Sequence, residues 1–195
     1  MSPIVLMNDP RVVGIPVRDC GEPLVDLRHL PFVDVDDRFA DPEGAYAQLR
    51  EGVSWRLARA ARLLPEGLRL LVTEGYRPFD LQTKYFEEHR SPAPPEVAPH
   101  VAGAAVDITL RATNGAELDL GTPVNAHPAE CDGACHADAG RISATARRNR
   151  RTLTAALATA GLVNYPGQWW HWSYGDRYWA FVTGAPHARY GALAT

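Results

Sequence analysis

The chain has 195 residues, 46% of them hydrophobic and 22% charged, with a formal net charge of −3 and a pI near 6.1. That balance excludes a disordered chain, a coiled coil and a collagen-like repeat, and the mild acidity argues against a dedicated nucleic-acid binder. Residues 1–195 read as a single domain, long enough to bury roughly 70% of the unfolded surface without staples.

The first residues offer only the short apolar run Ile4-Val5-Leu6-Met7, with no basic residue before it, which is not the pattern of a secretory signal. The longest stretch free of Asp, Glu, Lys and Arg, residues 152–175, holds Asn164, Pro166, Gln168 and His171. A bilayer-spanning helix would not carry these. The expectation is a cytoplasmic chain with no membrane contact.

Residues 45–64 predict a helix, because Leu49, Val53, Leu57, Ala60 and Leu64 recur at spacings of three and four. Pro65-Glu66-Gly67 stops it. Residues 68–73 then read as a strand that runs into Glu74-Gly75-Tyr76-Arg77-Pro78, and residues 79–89 as a second helix. Residues 91–95 must be a loop. A strand is expected over residues 105–110, with Asn114-Gly115 turning the chain so that residues 116–120 pair back. Residues 123–140 form a long polar loop, of the kind that covers a functional site. Residues 143–160 predict a helix capped by Ser143 and ended by Gly161, with the run Arg147-Arg148-Asn149-Arg150-Arg151 as a solvated face. The aromatic and β-branched residues between 169 and 182 suggest one or two closing strands. Helices and strands mix without βαβ alternation, so the fold class is α+β, a small antiparallel sheet flanked by helices.

Three segments carry chemistry. Six residues separate His100 from Asp107, Gly103 among them, so a turn and the strand after it can bring an imidazole and a carboxylate to one divalent metal. A structural histidine before a buried strand is the plainer alternative. Gln168-Trp169-Trp170-His171-Trp172 sets a histidine among aromatics, either a dry wall around a site or part of a core. Arg77, after a strand end, offers a planar fork of donors to a carboxylate or a developing oxyanion, or else a surface ion pair. Cys20, Cys131 and Cys135 cannot make a disulfide framework, and no second ligand pair follows Cys131 and Cys135 to complete a zinc ribbon.

Taken together, Glu74-Gly75-Tyr76-Arg77-Pro78, the His100-to-Asp107 segment and Gln168-Trp169-Trp170-His171 resemble the zinc-dependent D-alanyl-D-alanine dipeptidases of the VanX type. The likeness covers residues 68–181 and includes Leu120-Gly121-Thr122-Pro123. It implies a D,D-peptidase/hedgehog-like fold, one Zn2+ on His100, Asp107 and His171, and a small peptide of the D-Ala-D-Ala type as partner. It also implies that Arg77 stabilises the tetrahedral intermediate, and it excludes His29, His89, His127, His136 and His187 as ligands.

Two departures stand out against that family. Its general base is a glutamate three residues before the last histidine, and here the position is Gln168, whose amide orients a water but accepts no proton. This fits an inactive or strongly weakened member, a deliberate Glu→Gln substitution that traps substrate, or a site where another carboxylate takes over. The family also tends to carry an aspartate that grips the substrate amine after the Leu-Gly-Thr run, and here Asn125 stands in its place. Asn125 and Tyr76 are the remaining candidates for substrate contact. A zinc-containing peptide-binding protein and a D,D-carboxypeptidase acting on longer cell-wall peptides are the alternatives to a dipeptidase.

Overall fold

A computed structural model describes residues 4–88 and 93–193. A short helix α1 (Pro10–Val13) precedes β1 (Leu24–Asp26) and β2 (Val33–Val35), then β3 (Gln48–Arg50) leads directly into α2 (Glu51–Arg62). β4 (Leu68–Glu74), α3 (Phe79–Glu87), β5 (Ala105–Ala112), α4 (Ala144–Thr159), β6 (Val163–Asn164), β7 (His171–Ser173) and α5 (Arg177–Thr183) follow. The main sheet has the order β2-β4-β5-β7-β6 and is antiparallel except at one edge, where β2 runs parallel to β4. β1 and β3 form a separate antiparallel pair. Among the described residues no helix is long and apolar enough to cross a membrane.

Alternation along β5 divides the sheet. Val106, Ile108 and Leu110 are fully buried and share one cluster with Leu57 of α2 and with Leu153 and Leu157 of α4. Each such side chain contributes about 1.5–3 kcal/mol by leaving water. Asp107, between them, faces the other way. A smaller cluster of Met7, Val12, Ala98, Val101, Tyr165 and Tyr178 gathers the N-terminal segment and α5.

The fold corrects four expectations. The helix expected over residues 45–64 begins only at Glu51, because Gln48–Arg50 pairs with Leu24–Asp26. Its apolar spacing continues through β3 only because Leu49 is buried in the same core. The closing residues are one strand and one helix: Asp176 accepts hydrogen bonds from the N–H groups of Tyr178 and Trp179, which caps α5, and Gly184 ends it in the left-handed region at φ 70°. Capping here overrides the strand preference of the aromatic residues. The return after Asn114-Gly115 is a single bridge, Arg111 to Glu117, rather than a full strand. The fourth concerns Arg150. It is buried, and its guanidinium donates to the carbonyls of Leu120 (2.7 Å), His136 (2.6 Å) and Ala134 (2.6 Å). One side chain thus ties the 123–140 loop to α4, and burial pushes its pKa down to about 10. Helix α3 ends at Glu87, while His89 and residues 91–92 of the expected loop lie outside the described residues.

Candidate metal centre

The register of the sheet assembles the site. Asp107 on β5 lies directly opposite His171 on β7, and Glu74 at the end of β4 lies opposite Asp107 on its other side. Residues paired this way project from the same face of a sheet. His100 arrives from the short 3₁₀ turn Pro99–Ala102, which Gly103 closes at φ 63° before β5 begins. A Cβ at Gly103 would come within 2.6 Å of a Leu24 methyl, so glycine is required by both its backbone and its neighbours.

The three donor atoms face one another. His100 Nε2 is 3.2 Å from His171 Nδ1, His171 Nδ1 is 3.0 Å from Asp107 Oδ1, and His100 Nε2 is 3.4 Å from the same oxygen. All three residues are buried, and they form the one group of three or more His, Cys, Asp and Glu ligand atoms close enough to share a metal among the described residues. Ligands ~2.0–2.1 Å from a tetrahedral ion lie roughly 3.3 Å apart, so the spacing fits a zinc-sized cation. The proton positions fit as well. His100 Nδ1 is 2.6 Å from the Gly75 carbonyl, which can only accept, so Nδ1 carries a proton and Nε2 is the nitrogen left to face a metal. Burial alone would raise the Asp107 carboxyl, but the neighbouring charge and hydrogen bond of His100, with those of His171, hold it well below the usual carboxylate range. Burial keeps the His171 imidazole towards its neutral form. Once these ring nitrogens give up their protons, two imidazole lone pairs and a carboxylate oxygen converge on one point, the donor set that a divalent cation takes. His171 Nε2 is buried with no hydrogen-bond partner, so only His100 has the supporting partner on its outer nitrogen.

Gly75 anchors the arginine turn. Its N–H donates to Tyr46 O at 2.6 Å and the Tyr76 N–H to Gln48 O at 2.6 Å. A Cβ at Gly75 would meet the Gln48 carbonyl oxygen at 2.4 Å, so no other residue lets β4 approach this closely. The turn buries Arg77. Its Nε and Nη2 donate to the two oxygens of Glu74 at 2.7 and 2.5 Å, and its Nη1 donates to Gln82 Oε1. Gln82 in turn donates to Ala93 O at 2.7 Å, and Tyr85 lies 4.8 Å from the guanidinium. Gln82 has no signal in the sequence beyond its place one turn into α3.

A small cavity of about 40 Å³ joins these parts. His100, Asp107, His171, Arg77, Gln168 and Asn125 all border it, with Gln82 and the flexible Met7 among the other walls. Tyr76 is half-buried and does not border it. No carboxylate other than Asp107 borders the cavity among the described residues, and Glu74 behind it is engaged by Arg77. Of the two readings of the aromatic segment, the structure takes the core one. Trp169, Trp170 and Trp172 pack in the main core on the opposite face, and the aromatic ring against His171 is Tyr165, 6.2 Å between centroids. Gln168 reaches the cavity from the turn before β7, where its own N–H donates to Tyr165 O and its carbonyl accepts from His171 N. His29, His127, His136 and His187 stand apart from the centre, and Cys20, Cys131 and Cys135 are free thiols.

Residues 26–187 match the family model described as D-ala-D-ala dipeptidase, Peptidase_M15. A D-alanyl-D-alanine dipeptidase of Synechocystis is 27% identical over 93% of this chain and 94% of its own length. Another from Escherichia coli is 32% identical over 54% of each chain. Among solved structures, the LdcB LD-carboxypeptidase, described as revealing peptidoglycan recognition, is 19% identical with a TM-score of 0.48, covering 84% of this chain and 73% of its own.

Proposed function

The chain belongs to the D-Ala-D-Ala dipeptidase family of peptidases, and from that premise we propose that it is a cytoplasmic zinc metallopeptidase for D-alanyl-D-alanine or a closely related small peptide, with turnover strongly weakened by Gln168. The observation that carries this reading is the convergence of His100 Nε2, Asp107 Oδ1 and His171 Nδ1 at 3.0–3.4 Å beside a buried arginine. His100, Asp107 and His171 would hold the ion. Zinc, when bound, supplies a Lewis acid that polarises the scissile carbonyl and makes water a stronger nucleophile.

The protein's own side chains do the rest. Arg77 keeps its charge because Glu74 offsets the cost of burial. Glu74 and Gln82 fix three of its five N–H donors, and the remaining two are free to meet the carbonyl oxygen as it gains negative charge. Gln168 takes the position of the general base. Its amide can orient a water by hydrogen bonds, but it neither removes a proton nor returns one to the leaving amine. Loss of a general base costs ~10²–10⁴-fold in rate, and no second carboxylate among the described residues borders the cavity to replace it. The same amide favours a second reading, a protein that binds its peptide without cutting it.

Zinc content and D-Ala-D-Ala hydrolysis, measured on this chain and on Gln168→Glu, test both. One zinc per chain and nearly absent turnover are expected. Gln168→Glu should raise kcat by ~10²-fold or more, with a pH–rate limb that reports the new carboxylate. If Gln168→Glu gains no activity although it binds zinc and peptide, the binding reading replaces the enzyme. Hydrolysis by the unmodified chain at ordinary rates of ~1–10³ per second removes Gln168 from the base position. A chain that takes up no zinc sinks the metallopeptidase.

A further inference from the structure

Cys131 and Cys135 lie in the long loop and do not border the metal-centre cavity. They are anchored unequally. Cys135 is wholly buried in the main core, and its carbonyl accepts from the Trp169 N–H at 2.9 Å. Arg150 holds the carbonyls of both its neighbours, Ala134 and His136. Cys131 is half-buried at the end of the exposed stretch 127–130, and its thiol reaches the Pro128 carbonyl at only 3.8 Å. Between the two, Asp132 and Gly133 take left-handed backbone, with φ 48° and 70°, and the Ala134 N–H closes the turn on Cys131 O at 2.8 Å. Asp tolerates that conformation and Gly adopts it freely. The turn brings Cys131 back onto Cys135, with the two thiols in hydrogen-bond contact. We propose that Cys131 and Cys135 form a reversible dithiol–disulfide pair, oxidised by a small-molecule disulfide, which fastens the exposed half of the loop to its buried half.

Access sets the order of events. Cys131, having lost its proton to water, attacks one sulfur of the small disulfide, so that a mixed disulfide forms and one small thiolate leaves. Cys135 then loses its proton to water and attacks the Cys131 sulfur. The Cys131–Cys135 bond forms and the second small thiolate leaves. Two protein thiols are oxidised and one disulfide is reduced to two thiols. Burial, and then Cys131 beside it, pushes the Cys135 thiol up to about 11, which keeps it from acting first. The Arg150 guanidinium opposes that shift and favours the thiolate that the second step needs. The bond closes a loop of only a few residues, which stores little chain entropy and leaves it open to reduction.

The test uses the full chain carrying Cys20→Ser, which removes the exposed third thiol, in mixtures of reduced and oxidised glutathione. Remaining thiols are blocked with N-ethylmaleimide in denaturant, and the intact mass is read. The expected product is a monomer with no maleimide and no glutathione attached, and excess reduced glutathione should return both thiols. Adding Cys135→Ser should leave glutathione on Cys131, because no second thiol displaces it, and adding Cys131→Ser should leave Cys135 unmodified. Proteinase K cleavage between residues 125 and 131 should slow at least about fivefold in the oxidised chain, as that stretch opens more rarely. Two maleimide labels in every mixture overturn the pair. So does a lasting glutathione adduct on Cys131 beside a free Cys135, or a disulfide-linked dimer, and this result on the Cys20→Ser chain decides even where a further variant does not fold. A disulfide that leaves the cleavage rate unchanged overturns the fastening of the loop.

Discussion

On β5, Val106, Ile108 and Leu110 face two helices, whereas Asp107, one residue away, faces the candidate centre. The first face is held by area removed from water, which is insensitive to direction. The second is held by direction and charge: three donor atoms 3.0–3.4 Å apart, set by strand register and one turn. Damage to one face should therefore be read in stability and damage to the other in metal affinity. Asp107→Ala should lower zinc affinity by on the order of 10³-fold or more, since it removes the one charged side chain of the proposed ligand set. Ile108→Ala should cost about 2–5 kcal/mol in urea unfolding and leave zinc stoichiometry at one. The comparison breaks if Ile108→Ala empties the site, or if Asp107→Ala, studied without metal, unfolds as readily as Ile108→Ala.

The long loop sharpens the contrast, because one charged residue does the work of a core there. Arg150 donates to three carbonyls and its guanidinium lies 5.3 Å from the Trp169 ring. Arg150→Met keeps the apolar stem and removes all three bonds. A stability loss of about 2–3 kcal/mol is expected, less than three buried unpaired carbonyls would cost because the loop can turn them to water. Limited proteolysis within residues 123–140 should accelerate as the loop loosens. Arg150→Lys should restore little, because a point charge cannot reach three separated oxygens. A loop that stays resistant in Arg150→Met would mean that Val124 and Cys135, both buried, hold it instead.

The two faces also differ in how far the sequence discloses them. The apolar face follows from periodicity, so β4, β5 and α4 were expected close to where they lie, and α2 from the second turn of its expected span onward. The site residues His100, Asp107, His171, Arg77, Gln168 and Asn125 were legible only as motifs, because register between β5 and β7 is a long-range fact that no local pattern carries. Burial of Arg150 was hidden in a run of arginines whose other members are exposed. The strand pairing of β1 with β3 was missed for the same reason, as three-residue strands leave too few alternations to count. Helix α5 was obscured by its aromatic residues, and its decisive signal was the capping aspartate, Asp176.

Gln82 is where the polar face extends beyond any motif, and it gives the smallest expected effect. It is wholly buried, accepts a hydrogen bond from Arg77 Nη1 and donates to Ala93 O. It touches Arg77 rather than the reacting atoms, so it is a positioning residue. Arg77→Ala, in a Gln168→Glu background, should lower kcat by roughly 10²–10³-fold, as for a lost oxyanion donor. Gln82→Leu keeps the volume and deletes those two bonds, leaving the guanidinium hydrogen-bonded to Glu74 on one edge with the Tyr85 ring beside it. A fall in kcat of about tenfold with little change in KM is expected, because the lost precision matters only when charge develops on the carbonyl oxygen. Gln82→Glu retains the acceptor for Nη1 and should recover part of the rate. If instead Gln82→Leu lowers the melting temperature but leaves kcat per folded molecule unchanged, Gln82 serves only to pack α3 against Ala93, and Arg77 owes its aim to Glu74.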